Sequence, residues 1–324
     1  MTSSARPSTG PIRVTIPYAS RTSADVARSR LRHHAWVAQR GLWPDSRTEQ
    51  AYRAADFPLF VARTHPWAEG DDLDLATDLV GWSWLWDDSL DKQASPVWAA
   101  DALDAYRSVL YDHPPQTPDT PLLAAWRQLL ARLEHRTTAD WRRRHEAHWE
   151  ATFKSFLQEA HNNAGKIVPE FDTYVAMRRN AGGMDICLDW VEAVGRYELP
   201  LHVHAMPELI SMRQAEQDVV AMTNDLFSAG KEWAVGNTDN IIPVLAQEKN
   251  CSWQDATRLA HECISMALRN FHDAENRFLS SRPYRELPRA DRENSDHFIE
   301  AMKLWMRGSL DWHLTCPRYR EVTS

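Results

Sequence analysis

From about residue 23 to residue 314, apolar residues recur at three- and four-residue spacing, and no useful stretch alternates with period two. That periodicity builds one apolar face per helix and argues against a sheet. The spacing predicts helices over 23–40, 46–64, 72–89, 95–112, 119–135, 137–163, 170–180, 184–196, 202–212, 214–234, 253–281 and 290–314. Breaks fall at His65-Pro66, His113-Pro114-Pro115, Ala181-Gly182-Gly183, Leu199-Pro200, Gly236-Asn237 and Arg282-Pro283. With only 11 glycines, the chain is poorly supplied for the turns and phosphate loops of β-rich or doubly wound folds. The expected fold is all-α, a single-domain antiparallel helical bundle over 23–324, preceded by a leader, 1–22, expected to be disordered. About a dozen helices in one bundle can enclose a cavity.

Charge and cysteine content narrow the function. A net charge of −8 argues against nucleic acid, which needs a basic face. The start, MTSSARPSTG, lacks a charged-then-apolar secretory pattern, and no segment reaches the roughly 20 apolar residues of a membrane span. A cytoplasmic protein without a membrane span is expected. Cys187, Cys251, Cys263 and Cys316 lack the paired spacing of a zinc site and read as free thiols. Tryptophan, at 15 residues, supplies large rings that fill a core or line a cavity with π faces.

Two motifs carry chemistry. Trp86-Asp87-Asp88-Ser89-Leu90-Asp91 places three carboxylates at the C-terminal end of an apolar helix, where the macrodipole disfavours them by up to about 1 kcal/mol each. Asp87 and Asp91, four apart, share a face, and converging carboxylates there need a cation such as magnesium. The equally acidic Gly70-Asp71-Asp72-Leu73-Asp74 precedes a helix, where carboxylates cap free amides, and reads as structural. Asn224, Ser228 and Glu232 follow i, i+4, i+8 spacing on a second helix, an oxygen ligand set for a hard cation. Asp225 falls off that stripe and reads as a solvated or salt-bridged side chain.

The pair DDSLD and NDLFSAGKE resembles the aspartate-rich and NSE motifs of bacterial class I terpene synthases. The resemblance extends to Tyr174–Gly182, similar to a diphosphate-sensor segment, to Gly236–Ile242 after the NSE helix, and to the C-terminal segment ending in Arg318-Tyr319. It thus covers nearly all the chain from about residue 20. Ala181 stands where the family often has an aspartate linked to the sensor, which implies a simpler relay.

The resemblance implies a class I α domain that ionises a prenyl diphosphate and cyclises the cation. Asp87 is then a metal ligand, Asn224, Ser228 and Glu232 hold a second metal site, and Asp91 is either a ligand or an arginine partner. Three magnesium ions are implied with diphosphate, manganese being able to substitute. Arg178 is the implied sensor and Gly182 the effector carbonyl. Arg178, Lys231, Arg318 and Tyr319 are the implied diphosphate contacts. Helical geometry sets Ser83 and Trp84 one turn before Asp87, facing the cavity, with Trp312 as a second aromatic candidate. Trp82, Trp86 and Trp305 carry no assignment.

Bulky Trp84 and Trp312 favour a C15 substrate over C20, with C10 open, and a homodimer is compatible with the chain. The rival readings are a chain-elongating prenyl diphosphate synthase, which would carry a second aspartate-rich motif, and an inert helical scaffold. His145-Glu146-Ala147-His148 is one residue too short for a zinc-protease helix, and the adjoining Arg142-Arg143-Arg144 suggests an exposed face.

Overall fold

The computed structural model describes residues 12–91, 96–113 and 119–319, without the side chains of Asp91 and Val235. Fifteen α-helices and no strand occur among the described residues. The first half holds α1 (Val26–Gln39), α2 (Ser46–Ala55), α3 (Phe57–Thr64), α4 (Gly70–Asp91), α5 (Pro96–Leu110), α6 (Pro121–Glu134) and α7 (Ala139–Gly165). The second holds α8 (Phe171–Ala181), α9 (Met184–Gly195), α10 (Leu201–His204), α11 (Pro207–Val235), α12 (Ile241–Glu248), α13 (Trp253–Ser280), α14 (Arg282–Glu286) and α15 (Arg289–His313). A 3-10 turn, Pro317–Tyr319, closes the described chain.

Several boundaries differ from the periodicity, three of them for an evident local reason. The helix expected over 46–64 divides at Asp56, whose backbone is left-handed (φ 52°) and whose carboxylate takes Arg30 at 2.8 and 2.9 Å. Aspartate tolerates that conformation better than most residues. The break expected near 213 is absent, because α11 starts at Pro207, a favoured first-turn residue, and runs on without interruption. The wholly apolar Ile241-Ile242-Pro243-Val244-Leu245 shows no helical period, yet it forms α12, with Asn240 accepting from the Ile242 N–H at 2.9 Å.

The expected leader also departs from expectation over its described part. Residues 12–22 contain no helix but lie against the bundle: Ile16 is buried, and Arg307 Nη1 donates to the carbonyls of Ile16 and Tyr18, each at 3.2 Å.

Tryptophan stacking and buried ion pairs hold the helices around the cavity. Trp82 of α4 stacks on Trp126 of α6 at 4.6 Å between centroids, and Trp126 meets Trp149 of α7 edge-on at 4.7 Å. Asp78, fully buried on α4, binds His33 and Arg32 of α1 and Arg132 of α6. Asp189 of α9 likewise binds Arg144, His145 and His148 of α7 at 3.0, 3.0 and 2.7 Å. The face expected to be exposed is therefore split, Arg143 outside and Arg144 with His145 inside. Removing one member of such a buried set costs about 3–5 kcal/mol, because its partner's charge is stranded. Asp72 and Asp74 lie inside the start of α4 and are structural through ion pairs with Arg136, Arg196 and Arg28, while the Gly70 N–H is taken by Asp25 Oδ2 at 2.8 Å.

Helices α3 and α15 approach closely at Gly308. A Cβ there would lie 2.6 Å from the Arg63 carbonyl carbon and oxygen and 2.9 Å from the Thr64 nitrogen. Backbone cannot yield as a flexible side chain does, so Gly308→Ala should cost about 2 kcal/mol. Denaturant unfolding of the variant checks this, and an unchanged midpoint would show that the two helices separate freely.

Candidate active site

One cavity, of about 200 Å³, opens between α4, α7, the α8–α9 junction, α11, α15 and the C-terminal turn. Asp87, Ser83 and Trp84 line it from α4, while Asn224, Ser228, Lys231 and Glu232 line it from α11. Arg178, Gly182, Arg318 and Tyr319 complete the set. The two acidic motifs therefore face one space. Lys231 Nζ lies 3.8 Å from Asp88 Oδ1, a direct measure of how near the ends of α4 and α11 come. Asp91 ends α4, but its side chain lies outside the described residues.

On α11, the fixed 3.6-residue turn puts Asn224, Ser228 and Glu232 one above another. Asn224 Oδ1 accepts from Arg178 Nη2 at 2.9 Å. Its amide nitrogen donates to His313 Nε2 at 3.1 Å and to the Tyr319 hydroxyl at 3.2 Å. Asn240 Nδ2 donates to Glu232 Oε2 at 2.9 Å, fixing that carboxylate from the cap of α12. Asp225, next to the stripe, is buried rather than solvated: it accepts from Arg178 Nε at 3.0 Å, from the Ile241 N–H at 3.0 Å and from the Tyr174 hydroxyl. Its ion-paired reading holds, and its task is to hold Arg178.

At the end of α4, Asp88 accepts from both Arg318 terminal nitrogens, at 3.0 and 2.5 Å. Burial alone would lower the Arg318 pKa, but the Asp88 hydrogen bonds and charge outweigh it and raise the value. The same guanidinium lies 5.1 Å from the centroid of Trp84. The C-terminal turn is thus fastened to the aspartate-rich helix by one salt bridge and one cation–π contact. Nothing in the spacing gave Asp88 this role.

The break between α8 and α9 sits at Gly182-Gly183. Gly182 N–H donates to Arg178 O at 2.8 Å, and Gly183 adopts φ +65°, which a side chain disfavours. This turn brings Gly182 to the cavity beside Arg178.

The cavity aromatics differ from expectation at Trp312. Its indole is buried in the core, donates to Ala55 O at 2.8 Å and packs on Phe57 and Phe60 at 5.6 and 5.1 Å. It is absent from the cavity lining. The cause is helix rotation: Gly308 meets α3, so Trp312, four residues on, shares that face. Trp305, Ser309 and His313 form the i, i+4, i+8 stripe of α15 that does line the cavity. The scarce glycine and the polar Ser309/His313 pair were the available signal. Trp86, Trp149 and Trp190 are further wall residues.

Two further cavity groups, His313 and Asp239, have acidities shifted by burial. Burial pushes His313 down to about 4, so its imidazole is neutral near pH 7. Burial pushes Asp239 up to about 6, against a hydrogen bond from Asn162 Nδ2 at 3.0 Å.

A helical bundle whose cavity mouth joins an aspartate-rich helix to an Asn/Ser/Glu stripe, with arginines between, defines a class I terpene synthase. The chain belongs to the terpene synthase family 2 with its C-terminal metal-binding region, whose family model matches residues 78–270. It is similar to pristinol synthase of Streptomyces pristinaespiralis, at 29% identity over 95% of this chain and 85% of that one. It is 27% identical to the farnesyl diphosphate-cyclising 7-epi-alpha-eudesmol synthase of Streptomyces viridochromogenes, over 95% and 92% of the two chains. Among solved structures, an α-eudesmol synthase superposes with a TM-score of 0.85 at 25% identity, over 94% of this chain and 99% of that one.

Trp312→Phe should lose about 2 kcal/mol through a void and a missing hydrogen bond, with the product profile intact. Trp305→Leu should redistribute products. Thermal melts with chromatography of both variants test the division, and altered products from Trp312→Phe would place that ring in the cavity wall.

Proposed function

We propose that the chain uses magnesium to ionise farnesyl diphosphate, cyclises the allylic cation to a C15 hydrocarbon or alcohol, and releases diphosphate. The observation that carries this reading is the convergence of Asp87 with Asn224, Ser228 and Glu232 on one aromatic-walled cavity. Among the described residues, no three His, Cys, Asp or Glu side chains cluster as metal ligands. The donors at the mouth are instead carboxylate, amide and hydroxyl oxygens on two facing walls, which suits a hard cation shared with substrate phosphate. Asp87 would hold magnesium on one wall, and Asn224, Ser228 and Glu232 on the other, with three ions in all and manganese able to replace them. Bound there, the metal supplies Lewis-acid charge to the departing diphosphate.

The chain's own residues do the rest. Arg178, Lys231 and Arg318 gather positive charge at the mouth, and the planar guanidinium fork suits a phosphate's paired oxygens. Arg318 has five N–H donors, so it can keep Asp88 and still turn others to diphosphate. Tyr319 offers a hydroxyl on the same side. Below the mouth, the tryptophan walls exclude water and present π faces to a carbocation, each worth about 2 kcal/mol when desolvated. A cavity of about 200 Å³ is small beside the roughly 300–1,000 Å³ of ligand sites in general, which supports a prenyl chain shorter than C20. Relatives named as farnesyl diphosphate-cyclising synthases support C15.

Purified protein incubated with magnesium and, separately, geranyl, farnesyl or geranylgeranyl diphosphate tests this by gas chromatography–mass spectrometry. A magnesium-dependent C15 product from farnesyl diphosphate is expected. Longer prenyl diphosphates in assays containing isopentenyl diphosphate would favour elongation, and no product from folded protein would favour an inert scaffold. Asp87→Ala and Asn224→Ala should each reduce turnover at least about 100-fold, the scale set by losing one charge-stabilising group, with the fold intact. Near-normal turnover in either variant removes that residue from the site.

A further inference from the structure

Asn224 can present either end of its amide to the cavity, and only the carbonyl oxygen can take a cation. Several contacts decide which end it is. A guanidinium can only donate, so the atom 2.9 Å from Arg178 Nη2 is the oxygen, and the NH₂ lies on the other side. That NH₂ meets His313 Nε2 at 3.1 Å and the Tyr319 hydroxyl at 3.2 Å, which gives each of its two hydrogens an acceptor. His313 Nε2 must then be bare. Its Nδ1 lies 2.7 Å from the Ser309 carbonyl, which can only accept, so Nδ1 carries the ring's proton. The direction of every bond in the relay is thereby fixed, from the α15 backbone through the imidazole to the amide.

We propose that His313 is a positioning residue that turns the Asn224 carbonyl toward the metal site, through a tautomer fixed by the Ser309 carbonyl. This rests on the ligand role proposed for Asn224. A flipped amide would set oxygen against the bare Nε2 and NH₂ against Arg178, so both contacts would become repulsive. Arg178 occupies one of the two lone pairs of Oδ1, which leaves the second for a cation. The ring is held for this task from three sides: Tyr319 stacks on it at 5.1 Å and 25°, Phe227 lies at 5.3 Å, and Trp312 meets it edge-on at 4.9 Å. His313 lies on the cavity-lining stripe with Trp305 and Ser309, so its position follows from the rotation of α15 and not from the metal motifs. Groups that orient a ligand in this way commonly change metal affinity by about 10–100-fold when removed.

The test uses inorganic diphosphate and a magnesium titration, read as the rise in melting temperature of the whole chain. His313→Phe keeps the ring and its stacking but removes the acceptor, and the magnesium needed for half the shift should rise about tenfold. His313→Gln, which returns an acceptor, should recover most of that loss. An equal magnesium requirement in wild type and in a folded His313→Phe overturns the positioning role. A wild type that shows no magnesium-dependent shift overturns the ligand reading of Asn224, and this inference with it. Independently of whether the variants fold, nitrogen NMR of the labelled wild type should find Nδ1 protonated and Nε2 bare near pH 7. The opposite tautomer overturns the proposal.

Discussion

Asp87, Asp88, Asp225, Glu232 and Asp239 gather around the mouth of a cavity whose walls are largely aromatic, and the elements around that mouth are arranged to balance their charge. Like charges repel strongly where water is scarce, so the crowd persists only with partners supplied from elsewhere in the chain. Arg178 comes from α8 to Asp225, Arg318 from the C-terminal turn to Asp88, and Lys231 from α11 to the same Asp88. Asn162 and Asn240 bind the carboxylates of Asp239 and Glu232 without adding charge. The meeting of α8 with α11, and of α11 and the last described residues with the end of α4, is therefore an electrostatic requirement as much as a packing one.

The salt bridge at Asp88 also redistributes the work among the tryptophans. Trp84 carries the Arg318 guanidinium close to its ring while stacking on Phe57 at 5.1 Å, so it joins the mouth to the core. Trp86, Trp190 and Trp305 line the same cavity and would be available to a carbocation formed there. Trp86 and Trp305 are almost fully buried, and their rigidity suits a wall that must hold a reactive intermediate away from water.

Much of this was legible in the sequence where a residue's role follows from spacing along one helix. Asn224, Ser228 and Glu232 share a face because an α-helix turns every 3.6 residues, whatever packs against it. The acids of Asp87-Asp88 stood out because they oppose the helix dipole, whereas those near Asp72 comply with it. Trp312 and Trp305 were not separable in this way. Both are apolar residues of an amphipathic helix, and which one sees the cavity depends on how far α15 is rotated against α3. That rotation is set by the contact of Gly308 with the Arg63 backbone, a long-range fact. Asp88 and His313 were missed for a related reason: their partners lie 230 and 89 residues away, at Arg318 and Asn224.

The absence of an aspartate at 181 bears on how the site can couple its parts. Arg178 is held here by Asp225 of α11 and indirectly by Tyr174, one turn earlier on its own helix, which donates to the same carboxylate. Arg178, the proposed sensor, is therefore anchored to the helix that carries the Asn/Ser/Glu stripe, and its Nη2 touches Asn224 Oδ1. A cation at that oxygen and the guanidinium beside it repel each other, and diphosphate is the group that can accept both. On the proposed reading, diphosphate would relieve the repulsion by accepting hydrogen bonds from Arg178 beside the metal site. If Asn224 holds the metal and Arg178 the leaving group, as proposed, the two would be coupled through the Arg178–Asn224 hydrogen bond without a dedicated linker at position 181.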